Sequence, residues 1–194
     1  MDFSINTQEL LDEVTNKSKP IFYNAEKLSL SVDLANSSAK PKFLKKEFPV
    51  LFEENEKGIP VVWIVGTTLR IPSFSLAKHL EGCKKVELFC ATLGHNVDKK
   101  IERAKTSDIE LAVLLDLAYL LIVEKMCDFI CSEVKERNHT DTTPRFSLGY
   151  GDSPLTLQQE FLQLLNADKR LGILVTEGGM MLPSKTVTAI IGIK

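Results

Sequence analysis

The apolar residues along this chain change their spacing several times, and each change marks an element. Gln8 to Val14 has helical spacing behind Thr7, a residue type suited to an N-cap. The pattern is then undecided up to Phe48-Pro49, which reads as a break. "GIPVVWIVG" (Gly58 to Gly66) is a short β-rich run bounded by Gly and Pro and predicts a strand. "IPSFSLAKHLEGC" predicts a helix from about Ser73 to Leu80, closed by Gly82. In "KKVELFCATLG" (Lys84 to Gly94), Val86, Leu88 and Cys90 share one face and Phe89 takes the other, so this strand belongs inside a sheet. Gly94 turns the chain, and Asn96 is placed to cap the helix "VDKKIERA".

The longest element begins at "SDIE", a capping box with Ser107 as N-cap and Glu110 three residues on, and extends to about Arg137. Ile109, Ala112, Val113, Leu117, Leu120 and Leu121 cover well over half its circumference, which predicts a central buried helix. Further on, Ser153 as N-cap and Pro154 at N1 predict another helix. Its buried stripe is Leu157, Phe161, Leu164 and Leu165, and it ends near Asn166. The tail holds two β-rich runs, "LGILVTE" and "MMLPSKTVTAIIGI", joined through Gly178-Gly179 and expected to pair antiparallel. Helices and strands mix without regular βαβ alternation, so the fold class is α+β.

Composition narrows the function. The 194 residues form one domain's worth of core, with 44% hydrophobic and 26% charged residues as in ordinary globular chains. A formal charge of −2 argues against a generic nucleic-acid binder, whose affinity rests on cationic neutralisation of phosphates. The basic run "KPKFLKK" (Lys40 to Lys46) precedes the acidic "FEENEKG", and the local cancellation of sign reads as a solvated face. The acidic start "MDFSINTQELLDEV" has no secretory pattern, and the most apolar stretch, Leu111 to Val123, contains Asp116 and is too short for a bilayer. Cys83, Cys90, Cys127 and Cys131 lack metal-ligand spacing. A cytoplasmic, reduced chain without a membrane segment or a metal site of its own is expected.

Two features carry candidate chemistry. Glu124 interrupts the apolar run of the long helix, and a carboxylate there needs either an ion-pair partner, such as Lys125 or Arg145, or a ligand. "RFSLGYGDSP" (Arg145 to Pro154) places an arginine before two glycines that bracket a tyrosine. Phosphate binding is disfavoured, because the Gly-Lys-Ser/Thr ending is absent and Asp152 beside a helix start repels anions. A carboxylate suits the Arg145 fork, and Gly149 and Gly151 let a flat ligand approach the backbone that Tyr150 flanks. Arg145 for a carboxylate and Glu124 for an ammonium would match a small zwitterion with an aromatic group. A plain turn, with Arg145 tied to a neighbouring acid, explains the same residues. His79, His95 and His139 read as surface or cap residues, and no Ser-His-Asp order or nucleophile elbow is present.

"RFSLGYGDSP", the following "LQQEFLQLLNADKRLGILVTE" and "MMLPSKTVTAIIGI" resemble the activation domain of vitamin B12-dependent methionine synthase. Upstream, "LAKHLEGCKKVELFCATLGHNVDKKIERA" and "LLDLAYLLIVEK" are similar to stand-alone members of that family, and the likeness extends from about Phe48 to the C-terminus. The resemblance implies a single C-shaped α+β domain, residues 1–194, with a twisted and mainly antiparallel sheet. It implies an S-adenosylmethionine groove contacted by Arg145, the backbone at Ser147, Gly149 and Tyr150, with Glu124 as the helix glutamate. It also implies reductive methylation of inactive cob(II)alamin held on a partner, a methionine synthase lacking its own activation domain, with a flavodoxin-like electron donor and no acid–base residue. A docking or chaperone subunit for a corrinoid protein is the alternative. The family's Ala-Cys-Pro is replaced by Gly151, Asp152 and Ser153 before Pro154. The family also continues past the small-residue strand into a His-Pro and Tyr-rich segment, whereas this sequence ends at Lys194, so the resemblance implies an incomplete groove and weak ligand affinity unless a partner closes it.

Overall fold

The computed structural model of the chain describes residues 1–17 and 24–194. In chain order its elements are α1 (Thr7–Lys17), α2 (Ala25–Ser38), β1 (Lys42–Glu54), β2 (Pro60–Ile64), β3 (Arg70–Pro72), α3 (Phe74–His79), β4 (Lys85–Thr92), α4 (Asn96–Ser107) and α5 (Ile109–Asn138). A 3-10 turn (Leu155–Leu157), α6 (Gln158–Leu164), α7 (Ala167–Leu171), β5 (Leu174–Val175), β6 (Met181–Leu182) and β7 (Thr186–Ile193) follow. Five strands make a curled antiparallel sheet in the order β3-β2-β1-β4-β7, and β5 and β6 form a separate hairpin. The class is α+β, as the mixed pattern predicts. The tail does pair antiparallel, but its last run is divided: Met181–Leu182 pairs with β5, and Thr186–Ile193 joins β4 in the main sheet.

Alternation along β4 builds two cores. Phe89 and Ala91 join Ala189 and Ile191 of β7 under a layer made by α1, α2, α4 and α5. Val86, Leu88 and Cys90 join Ile190 and the apolar side of β2 under α3 and α6. Both faces of β4 are therefore dry, which is why its sequence is apolar at nearly every position. Each fully buried Leu or Ile in these layers removes apolar area that stabilises the fold by about 2 kcal/mol.

Several local expectations change. Among the described residues before Phe48-Pro49, where the pattern was undecided, lie α2 and the start of β1; Lys40, Lys42 and Lys46 of the basic run are exposed, as a solvated face requires, but Lys45 is not. Lys45 keeps only 15% of its side chain exposed and pairs with Glu133 at 2.6 Å. Pro49 does not break β1; it sits where the strand exchanges neighbours, with Lys42 to Pro49 on β4 and Val50 to Glu54 on β2. A proline is tolerated there because it falls at the end of a ladder, where its missing N–H costs little. Asn6, not Thr7, caps α1: its Oδ1 accepts from Glu9 N at 3.0 Å, and Glu9 Oε2 accepts from Asn6 N at 2.8 Å.

The long helix α5 runs to Asn138, one residue past the expected end. Ser107 closes α4, so Asp108 is the N-cap of α5 and accepts from Leu111 N at 3.1 Å. Glu110 instead reaches α2, taking Lys27 Nζ at 2.7 Å and Asn24 N at 3.1 Å. The buried stripe comprises Ala112, Leu115, Ala118, Tyr119, Ile122 and Met126 among others, whereas Ile109 and Val113 are exposed at the free end. Among the described residues no helix is long and apolar enough to cross a membrane.

Candidate functional site

Glu124 and Asp128 lie one turn apart on α5, on a common side by helical geometry. Opposite them, residues 142 to 148 run along the outer edge of β7. Thr143 N donates to Gly192 O at 2.9 Å, and Phe146 exchanges two backbone bonds with Ile190 at 2.9 and 2.8 Å. This segment covers an otherwise open sheet edge and fixes where Arg145 points. Alternation then sends Phe146 to the far side, where its ring stacks 5.2 Å from His79. His79 Nε2 also bonds Pro144 O at 2.7 Å. This histidine thus has a role that its helical position in the sequence did not disclose.

Arg145 and Glu124 come together as an ion pair through Nη2 and Oε2. Of the two ion-pair partners the sequence offered for Glu124, the structure selects Arg145; Lys125 turns away to Glu9 Oε1 at 2.7 Å and Ser4 O at 2.8 Å. Arg145 keeps 30% of its side chain exposed and Glu124 keeps 40%. The guanidinium is only partly satisfied: Nη1 is buried without a hydrogen-bond partner, and Asp128 Oδ1 lies 3.8 Å away. Burial is the largest single influence and pulls the Arg145 pKa down, but the Glu124 bond and the neighbouring negative charges together outweigh it, so the net shift is upward. Behind the pair, burial pushes the Cys127 thiol up to about 12 against the pull of Arg145, so it stays protonated at neutral pH and is no nucleophile.

The loop from Ser147 to Ser153 closes on itself. Tyr150 N donates to Ser147 O at 3.3 Å, Ser153 N to Tyr150 O at 3.1 Å, and Gly149 N to Ser153 O at 3.1 Å. Ser147 Oγ donates to Thr188 O at 2.6 Å, which ties the start of the loop to β7. Gly149 has a φ of +91°, a conformation that L side chains avoid. Tyr150 is 67% exposed, with its ring 6.4 Å from Phe146. Arg145, Ser147, Gly149 and Tyr150 thus lie on one short segment, with Glu124 across from its first residue.

The residues that depart from the family pattern have their own task. Asp152 does not sit at the start of its own helix to repel an anion; it crosses to α3. It accepts from Ser73 Oγ at 2.6 Å, Phe74 N at 2.8 Å and Ser75 N at 3.0 Å. These bonds hold its carboxyl well below the usual carboxylate range. Gly151 makes the approach possible: a Cβ there would lie 2.8 Å from Ser75 Cβ and closer still to Ser75 Oγ. Ser153 caps nothing, since its Oγ is buried without a partner, and the chain passes through the 3-10 turn into α6. Nothing in the sequence marked Asp152 as a cap supplied from 78 residues away in the chain.

No protein-family model matches the sequence, and comparison with the curated proteins gives no match. Among solved structures, the fold is similar to a crystal structure of the MetH reactivation domain bound to AdoHcy. The TM-score is 0.58 at 16% sequence identity, over 95% of this chain and 64% of that one. This chain therefore spans about two thirds of the length of the structure it resembles, and what the two share is the fold.

Proposed function

We propose that the chain is an S-adenosylmethionine-binding module of the reactivation type, which holds the methyl donor for a cobalamin carried on a partner methionine synthase. The observation that carries this reading is Arg145, a half-buried guanidinium with one unfilled donor beside the accessible Glu124. The fold shared with an AdoHcy-bound reactivation domain supports it. The part of the guanidinium that stays open to solvent is where a ligand carboxylate would pair, with the buried Nη1 becoming available only if the Glu124 side chain shifts. Glu124 Oε2 holds Arg145, which leaves Oε1 for the ligand ammonium. Gly149 admits the ligand close to the backbone, and the exposed Tyr150 ring is free to lie against its adenosyl part.

S-adenosylmethionine supplies a methyl group on a sulfonium, and its transfer to a cobalt centre, with one electron from a separate donor, leaves S-adenosylhomocysteine. The contribution of this chain is positioning, which converts an encounter of two large molecules into a step within one complex. The protonated Cys127 thiol behind Arg145 does not compete for the methyl group. One observation favours a second reading, a non-catalytic docking or chaperone subunit for a corrinoid protein: Arg145 and Glu124 already satisfy part of each other's charge without a ligand.

Methylcobalamin formation followed by absorbance tests the proposal. Product is expected only when chain, S-adenosylmethionine, reductant and cobalamin-bearing partner are combined, and much less of it with Arg145→Ala. Tight docking to the partner with no dependence on the methyl donor would establish the second reading instead.

A further inference from the structure

Away from Arg145, three adjoining depressions form a trough across the start of β1, the turn into α4, α4 itself and α7. Lys42 and Arg170 line the first, Lys40 and Lys42 the second, and Lys99, Lys100 and Arg103 the third. The first two share Lys42 and Leu171, and the last two share Asn96, so the trough is continuous. No carboxylate lines any of the three. None of the six cations has an ion-pair partner among the described residues. The nearest acids on α4 are engaged elsewhere, Asp98 with Ser184 and Glu102 with Lys105 at 2.6 Å. The N-terminus of α4 adds to the positive field, because His95 at its cap position makes no side-chain bond to the first turn.

Six like charges along one concave surface repel one another, and the chain as a whole is acidic, with 26 acidic against 24 basic residues. We infer that this trough is a docking surface for an acidic segment of a partner protein. Charge complementarity is what selects the occupant. A nucleic acid is disfavoured by the formal charge of −2 on the whole chain, since that affinity rests on widespread cationic neutralisation of phosphates. The aromatic rings at one end, Phe3 and Phe43, are engaged against Phe129 at 5.6 and 6.2 Å rather than presented for base stacking. An extended acidic peptide needs only the trough itself, and its carboxylates find lysines and an arginine at several successive points. The inference is independent of the Arg145 site, since none of Glu124, Arg145, Ser147, Gly149 or Tyr150 lines the trough.

Fluorescence anisotropy with a labelled glutamate-rich peptide of about twelve residues tests it at low and at physiological salt. Wild type should bind and weaken with salt, and Lys99→Glu/Lys100→Glu/Arg103→Glu should lose about tenfold or more. Lys57→Glu/Lys78→Glu, which carries charge reversals elsewhere on the surface, should bind as wild type does, with thermal melts confirming that every variant is folded. Lys40→Glu/Lys42→Glu provides a second test from the other end of the trough should the triple variant fail to fold. Equal binding by wild type and both trough variants, or no binding by wild type, would overturn the inference. Tighter binding of an oligothymidylate of equal charge would replace it with a nucleic-acid surface. Titration of the triple variant with S-adenosylmethionine should match wild type, which separates this result from the fate of the methyl-donor site.

Discussion

Two arginine–glutamate pairs touch α5, and they differ in how completely each is satisfied. Toward its C-terminal end, Arg137 binds Glu87 on β4 and also Glu47 on β1 at 3.1 Å. Glu87 is 1% exposed, and Glu47 faces it directly across the β1–β4 ladder. That arginine joins two strands to a helix and makes the burial of Glu87 tolerable beside the partly exposed Glu47. A little over three turns earlier, Glu124 meets Arg145 with both side chains partly open to solvent and Nη1 unfilled. In the first pair the carboxylate is sealed although Arg137 stays 42% exposed; in the second the carboxylate is 40% exposed, and the proposed function assigns it a ligand. An ion pair alone therefore says little about function; the unpaired Nη1 and the half-open carboxylate separate the second pair from the first.

The largest effect expected from breaking this comparison is at Arg137. Arg137→Ala leaves Glu87 buried without its cation and should destabilise the fold by about 3 kcal/mol, measured by chemical denaturation, with little change in ligand affinity. The effect should depend on pH in a defined direction. Burial raises the Glu87 carboxyl above its ordinary range, and Arg137 pulls it back. A raised folded-state pKa means that the folded protein holds the proton more tightly than the unfolded chain. Stability from this group therefore falls as pH rises through that range, and it falls further without Arg137. The gap between wild type and variant should be widest above the raised range in which Glu87 titrates and narrow as the pH is lowered through it.

Next in size is Gly151→Ala. The new Cβ would collide with Ser75 at a backbone φ of +58°, which should cost about 2 kcal/mol and loosen the loop from α3. Faster amide exchange at Phe74 and Ser75, whose N–H groups Asp152 accepts, would report it. Glu124→Gln should change stability by less than about 1 kcal/mol, because the pair it breaks is half-exposed. The same change should weaken S-adenosylmethionine binding by roughly tenfold through the lost charge on the ammonium. Tyr150→Ala should be smallest: within about 0.5 kcal/mol in stability, since the ring is exposed, and a few-fold in affinity by titration.

Much of this architecture was legible in the sequence, and the failures have physical causes. β4 was clear because both of its faces are dry, and α5 because its apolar residues recur over many turns. β1 was not, because its charges mask an extended strand: Lys45 is taken by Glu133, far away in sequence, while Lys46 lies over the ring of nearby Phe48 at 4.9 Å and stays exposed. A charge run read alone looks solvated. The caps of α1 and α5 were each off by one residue, since Asn6 and Asp108 stand beside Thr7 and Ser107, and several such residue types compete for one position. In the candidate site, the sequence offered Lys125 and Arg145 as partners for Glu124, and the pairing with Arg145 agrees with both the plain-turn and the ligand readings. Asp152 and His79 were not placed, because what they do depends on which segments meet: Asp152 reaches α3, and His79 reaches the chain just before Arg145.

The central claim is that Arg145 is held for a ligand rather than for the fold. Calorimetric titration of S-adenosylmethionine into wild type and Arg145→Ala, with thermal melts of both, tests it most directly. The account predicts heat of binding for wild type, affinity weakened by about tenfold to a hundredfold in the variant, and melting temperatures that nearly coincide. Undetectable binding by wild type, or equal affinity in the two proteins, would contradict it.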